Sequence, residues 1–179
     1  MNRWLVLVFL LGGTANADNI ALSDQSISLP DFGTVTIGDS AATASRELRQ
    51  PIAMAPGTNP ESSTCMIFTP KGLESTGVSL IFEDKRITRI NIDYYGDAAE
   101  PLSIKTAAGV GLGTTEEDVK KAYAGHFRLE PDSGDPTWHY IYVDAPGGET
   151  GLRFDTDGKK VKSMHAGQYP ALNYKQGCY

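Results

Sequence analysis

The sequence predicts an α+β protein, a tandem repeat of two αβββ units whose antiparallel meander sheets each carry one short helix on one face. Three observations predict it. The segment Val35-Thr-Ile-Gly-Asp-Ser-Ala-Ala-Thr-Ala44 returns 75 positions on as Val110-Gly-Leu-Gly-Thr-Thr-Glu-Glu-Asp-Val119, an apolar-x-apolar-Gly step leading into a capped helix. Beyond it the matches settle at a spacing of 74. Ile67-Phe68 matches Ile141-Tyr142, Gly77-Val78 matches Gly151-Leu152, Leu80 matches Phe154, and Ile90 matches Met164. Lys85-Arg86-Ile87 matches Lys159-Lys160-Val161 in the same way. Lastly, Asp157-Gly158 is a strong hairpin turn, with Glu83–Lys85 its looser counterpart.

The first element is an address. Residues 1–17, MNRWLVLVFLLGGTANA, place Arg3 before an apolar run from Trp4 to Leu11, then breakers, then the small-x-small step Ala15-Asn16-Ala17. The run is far short of the roughly 20 residues a membrane span requires. A signal peptide cleaved near Ala17 is therefore expected, with a periplasmic or secreted mature chain and no membrane insertion. Residues 18–95 form the first unit, opened by a lead-in over 18–34. A helix over 41–50 is capped by Asp39 or Ser40 and stopped by Pro51, and strands follow at 64–69, 77–82 and 87–95. Residues 96–109, with Gly96, Pro101 and Gly109, read as the linker. In the second unit, 110–179, Thr114 and Glu117 form a capping box, the helix covers 115–124, and Gly125 ends it. Strands follow at 137–143, 150–155 and 160–166, then an irregular tail from Gln168. The pairs Ala44/Leu48 and Val119/Tyr123 give each helix one apolar face.

Composition excludes several classes. With 22 Asp+Glu against 16 Lys+Arg, a net charge of −6 and a pI near 5.0, the chain lacks the basic footprint of a nucleic-acid binder. An apolar fraction of 40% is too high for a disordered tail. Two cysteines cannot build a four-cysteine zinc site or a disulfide-dense mini-fold. In an oxidising compartment Cys65 and Cys178 are expected to bond, tying the tail to the middle of the chain. For a loop of about 100 residues the chain-entropy account gives about 4–5 kcal/mol. A redox or catalytic thiol is the weaker reading, since there is no Cys-x-x-Cys.

The paired helix openings, each followed by a three-stranded meander, resemble the tandem fold of secreted β-lactamase-inhibitor-like proteins over residues 33–166. A single unit is similar to the small outer-membrane assembly lipoproteins of that superfamily. The resemblance implies a protein that binds other proteins across an open concave sheet and performs no chemistry. The cysteines follow another pattern, because those inhibitors bond cysteines inside each repeat, and no lipoprotein cysteine is present.

The residues themselves offer little chemistry. His126, His139 and His165 have no helical i,i+4 spacing and no His-Glu-x-x-His, so no metal site is expected. Asp155-Thr-Asp157-Gly158 opens like a calcium loop but lacks the later acidic ligands. There is no Gly-x-Ser-x-Gly and no phosphate loop, Gly109-Val-Gly111-Leu-Gly113 lacks the dinucleotide spacing, and Glu116-Glu117 suits a helix N-terminus. No catalytic residue and no cofactor is expected.

Binding has more support. Alternation puts Val78, Leu80, Phe82, Ile90, Ile92, Tyr94, Leu152, Phe154, Met164 and Ala166 on a core face. It leaves Ser79, Ile81, Arg89, Asn91, Asp93, Tyr95, Arg153, Asp155, Ser163 and His165 on a face expected to lie in water. Trp138, Tyr140 and Tyr142 alternate with His139, Ile141 and Val143, so either set can take the core. If Ile141 and Val143 do, the aromatics join Arg153 and His165 as a protein-binding surface with Arg89, Asp93 and Tyr95. Tyr169, Tyr174 and Tyr179 add contact area or cover an edge. The expectation is an exported, non-enzymatic module for an envelope or extracellular protein, such as an inhibitor or immunity factor, and its acidity suits a basic partner. A carbohydrate- or peptidoglycan-binding module is the runner-up, and a hydrolase with a scattered site stands last.

Overall fold

The structure, a computed structural model, describes residues 21–29, 33–52, 65–74, 76–93, 104–175 and 177–178. The expected signal peptide, Tyr94, Tyr95, Tyr179 and most of the expected linker lie outside the described residues. In chain order the elements are β1 (Ala21–Leu22), β2 (Ser26–Ser28), β3 (Thr34–Thr36), α1 (Ala41–Glu47), β4 (Met66–Phe68), β5 (Val78–Glu83) and β6 (Arg86–Asp93). They continue with β7 (Lys105–Thr106), α2 (Glu116–Ala122), β8 (Arg128–Pro131), β9 (His139–Asp144), β10 (Thr150–Thr156) and β11 (Val161–Gln168). A 3-10 turn at Ala171–Asn173 follows.

Seven strands form one antiparallel sheet in the order β4-β5-β6-β11-β10-β9-β8. This is the α+β, mostly antiparallel architecture the sequence predicts. The central pair is β6 with β11, in which Asn91 faces His165, and these two residues are 74 positions apart. The β5–β6 register, Val78 against Ile92, is matched in β10–β11 by Leu152 against Ala166. The register breaks fall between Ile81 and Phe82 and between Asp155 and Thr156. On the outer strands the match is one residue shorter. Met66 faces Phe82 and His139 faces Thr156, so Phe68 takes the place of Ile141, where the sequence spacing of 74 had paired it with Tyr142.

Seven-residue helices are too short to hold themselves in water, and each is anchored to a hairpin. Ala41 N donates to Lys85 O, and Glu116 N donates to Lys159 O, which satisfies helix-start amides with turn carbonyls. Ser40 caps α1 by accepting from Thr43 N. The cap of α2 is Thr115, which accepts from Asp118 N. The expected Thr114–Glu117 box does not form, because the Thr114 hydroxyl accepts from Gly111 N. Both helices end earlier than expected. Arg49 takes φ 54 after the Leu48 cap, so α1 ends before Pro51, and α2 gives way at Tyr123 before Gly125.

One apolar layer joins these parts. Ala44, Leu48 and Val119 from the helices pack with Leu80, Phe82, Ile90, Ile92, Phe154 and Met164 from the long sheet. The described residues of the expected lead-in and linker also belong to it. Strands β3-β2-β1-β7 form a second, four-stranded sheet, with β1 and β7 parallel, and it delivers Leu22, Ile27, Val35 and Ile104 to the same core. These short strands read as loop because two or three residues carry no period.

Candidate functional site

The middle of the long-sheet face turned away from the helices does not lie in water. The described residues between Tyr169 and Cys178 cross it as a strap, pinned by the Cys65–Cys178 disulfide with its Cα atoms 5.9 Å apart. The correction has a physical cause. Arg89, Arg153 and His165 are 2%, 1% and 4% exposed, and the strap turns its backbone carbonyls onto the two arginines. Arg89 donates through Nη1 to Ala171 O and Tyr174 O at 2.8 and 2.7 Å, and through Nη2 to Gly177 O at 3.1 Å. Arg153 donates through Nη1 to Leu172 O and Tyr174 O at 2.7 and 2.8 Å. Hydrogen bonds from charged donors contribute about 1.5–3 kcal/mol each, while ordering each strap residue costs about 1–2 kcal/mol.

Beneath the strap the side chains form one network. Arg89 Nε donates to Asn91 Oδ1 at 2.7 Å, which fixes the orientation of the amide, and Asn91 Nδ2 donates to Ser79 Oγ. His165 Nδ1 lies 2.9 Å from the same Asn91 Oδ1, so this nitrogen carries the proton. Its Nε2 lies 3.3 Å from Asp155 Oδ2. Arg153 grips Asp155 in bidentate fashion, Nε to Oδ1 at 2.8 Å and Nη2 to Oδ2 at 3.0 Å. Burial and the neighbouring Arg153 push Arg89 down to about 10. Burial and Arg153 also hold His165 below its ordinary value. Burial works against the Asp155 charge, but His165 and Arg153 outweigh it and lower its pKa.

The aromatic strand takes one of its two possible orientations. Ile141 is fully buried and Val143 packs against the core, so Tyr140 and Tyr142 turn to the strap side. Tyr142 is nonetheless buried at 4%, with the Arg128 guanidinium 4.2 Å above its ring. Tyr140 is half-buried and its hydroxyl donates to Asp132. That contact, with amide donors from Gly134 and Asp135, holds the Asp132 carboxyl far below its usual range. Trp138 stays 37% exposed. A concavity of about 400 Å³ opens here, lined by Arg128, Glu130, Ser133, Tyr140, Asn173 and Lys175 among others. Lys175 Nζ reaches Ser133 Oγ at 2.7 Å and Asp132 Oδ2 at 3.2 Å, so the strap completes one wall of it.

The expected surface is thus divided. Trp138 and Tyr140 sit at the accessible β8–β9 end. Arg89, Arg153, His165 and Tyr142 are enclosed, Asp93 is half-buried at the end of β6, and Tyr95 is outside the described residues. Sequence reasoning missed Arg128, Asp132 and Lys175. Strand β8 was not expected, and a strap lysine shows no periodic signal. It also missed a second polar cluster on the core side, where Glu116 Oε2 accepts from Thr156 and lies 2.8 Å from His139 Nδ1, with Lys120 on Oε1. Among the described residues no group of three or more His, Cys, Asp or Glu side chains could hold a metal ion, and no helix is long and apolar enough to cross a membrane. The Asp155–Gly158 segment forms the hairpin turn, with Asp157 Oδ1 accepting from Lys159 N and Lys160 N. No known protein family, curated protein or solved structure matches the chain.

Proposed function

We propose that this chain is an exported, non-enzymatic module that binds another protein of the envelope or the extracellular space, as an inhibitor or immunity factor does. One observation carries the reading. At the β8–β9 end of the sheet, Tyr140, Arg128 and Lys175 line an accessible concavity of about 400 Å³, and Trp138 is 37% exposed at the same end. Aromatic and arginine side chains around a pocket are what energetic centres of protein interfaces use. The disulfide fits an oxidising compartment, and the N-terminal segment has the pattern of an export signal.

The fold supports the same reading through its internal correspondences. In our interpretation the chain is a duplicated αβββ unit, its halves joined antiparallel through β6 and β11. The recurring register, the recurring bulge and the paired helix anchors support this. The likeness to inhibitor-like tandem folds then suggests protein recognition. Contact at the rim of the sheet replaces contact across its middle, which the strap occupies.

The test is capture from envelope extracts with the wild-type chain and with Trp138→Ala/Tyr140→Ala. A stoichiometric protein partner, lost with the double variant, supports the proposal. Retention on a glycan resin with no protein partner supports the carbohydrate-binding alternative and rejects ours.

A further inference from the structure

Among the described residues Arg89 is a buried cation with no anion of its own. Its four side-chain hydrogen bonds go to one amide oxygen and three backbone carbonyls. Among the described residues no carboxylate lies within ion-pair distance of it. The carboxylate of the network, Asp155, is gripped by Arg153 and faced by His165. Buried charges are ordinarily paired, yet here two guanidinium groups converge on a single neutral atom, the carbonyl oxygen of Tyr174. The covering segment is weakly held in its own right. Ala171 and Leu172 are fully buried, but beyond them Tyr174 is half-buried and Lys175 exposed. Three arginine hydrogen bonds and the exposed contacts of Lys175 with Asp132 and Ser133 hold the stretch from Tyr174 onward, and their worth is comparable with the cost of ordering it. The disulfide at Cys178 therefore decides whether the strap stays closed.

We propose that Arg89 and Arg153 form a carboxylate-binding site that the distal strap, Tyr174–Cys178, plugs with its own carbonyls while the Cys65–Cys178 bond is intact. A dithiol reductant opens the site. Its two thiols are oxidised to a disulfide, Cys65 and Cys178 are reduced to thiols, and the strap swings away from its anchor at Ala171–Leu172. A carboxylate then takes the place of the Tyr174 carbonyl. It offers two oxygens to the two guanidinium forks and supplies the charge Arg89 lacks. The ligand is the free C-terminal carboxylate of a peptide, which can lie along the path the strap leaves. The site's two arginines are not rim residues, although Lys175 of the strap also walls the rim concavity, and titration with a short peptide reads the arginine site apart from any protein partner at the rim.

The experiment uses the full exported chain in three forms: oxidised, reduced with dithiothreitol, and Cys178→Ser. The probe is acetyl-tetra-alanine with a free C-terminus, and its C-terminal amide is the control. Tryptic cleavage after Lys175 reads strap release, and calorimetric titration reads binding. Strap protection should fall at least tenfold in the reduced and Cys178→Ser forms. Both should bind the carboxylate peptide at least tenfold more tightly than the amide, whereas the oxidised chain binds neither. Arg89→Lys and Arg153→Lys in the Cys178→Ser background should abolish that preference. Unchanged strap protection, equal binding of amide and carboxylate, or absence of binding overturns the proposal. So does loss of the native circular dichroism on reduction, which makes the strap a structural part of the fold.

Discussion

Glu116, at the first position of α2, and His139, at the start of β9, face each other at 2.8 Å across the core side of the sheet. The glutamate is 7% exposed, and Lys120 and Thr156 complete its contacts. At the register-matched places in the first half stand Ala41, Met66 and Phe82, so an apolar contact there has a polar counterpart here.

The first prediction concerns acid. Burial raises the Glu116 pKa, but the hydrogen bonds from Lys120, Thr156 and His139 outweigh it and hold the carboxyl at about 2. A carboxyl depressed in the folded state stabilises above its unfolded value, near 4.5, and that contribution is lost as pH falls through about 2. Discounted for partial screening, it amounts to about 2 kcal/mol. Glu116→Gln should therefore lower stability at pH 7 and flatten its dependence between pH 5 and pH 2 (roughly the span of the two pKa values). Urea midpoints measured across that range check it, and a parallel loss in wild type and variant would contradict it.

A second prediction follows from Gly77. It takes φ 76, and a Cβ there would stand 1.8 Å from the carbonyl oxygen of Asp93, a backbone atom that cannot step aside. Gly77→Ala should destabilise by about 1–3 kcal/mol. Gly147→Ala makes a useful contrast. It has φ 100 but nothing within 4 Å, so it should carry only the backbone strain. Equal urea midpoints for the two variants would rule out the contact at Gly77.

The orientation of β9 yields a third. Ile141 is fully buried and Trp138 is 37% exposed. Ile141→Ala should cost about 2–5 kcal/mol, and Trp138→Ala should stay within about 0.5 kcal/mol. Thermal unfolding of both variants checks the contrast, and a reversed order would mean that the aromatics face the core.

The disulfide gives the fourth. Cys65 and Cys178 close a loop of 113 positions. Cys65→Ala/Cys178→Ala should lower stability by up to about 4–5 kcal/mol on the chain-entropy account. Denaturant unfolding of the oxidised wild type against the double variant measures it. An unchanged midpoint would mean that the bond does not restrain the unfolded chain.

The long sheet was legible in the sequence wherever one face was apolar. Val78, Leu80, Phe82, Leu152, Phe154 and Met164 were all expected in the core and are found there. The bond between Cys65 and Cys178 was legible from the count of cysteines and the export pattern. What failed was local. The residues of β1 to β3, β7 and β8 are too few to show a period, and a cap can shift by one residue between adjacent threonines, as it does from Thr114 to Thr115. The candidate surface failed for another reason. Alternation separates two faces but does not say which is wet, and Arg89, Arg153 and His165 have the composition of a solvated face. Only the path of the strap, which follows no repeating pattern, buries them.

The middle of the sheet also sets the order in which the molecule can assemble. Hairpins β5–β6 and β10–β11 close over short turns, but their union sets Asn91 against His165, 74 positions away. Until that long-range contact is made, the Ile90–Ile92 edge is bare and able to pair with any passing strand. Newly made chains are thus most open to aggregation in the interval before β11 arrives. A holding chaperone would act on this interval rather than on the finished fold.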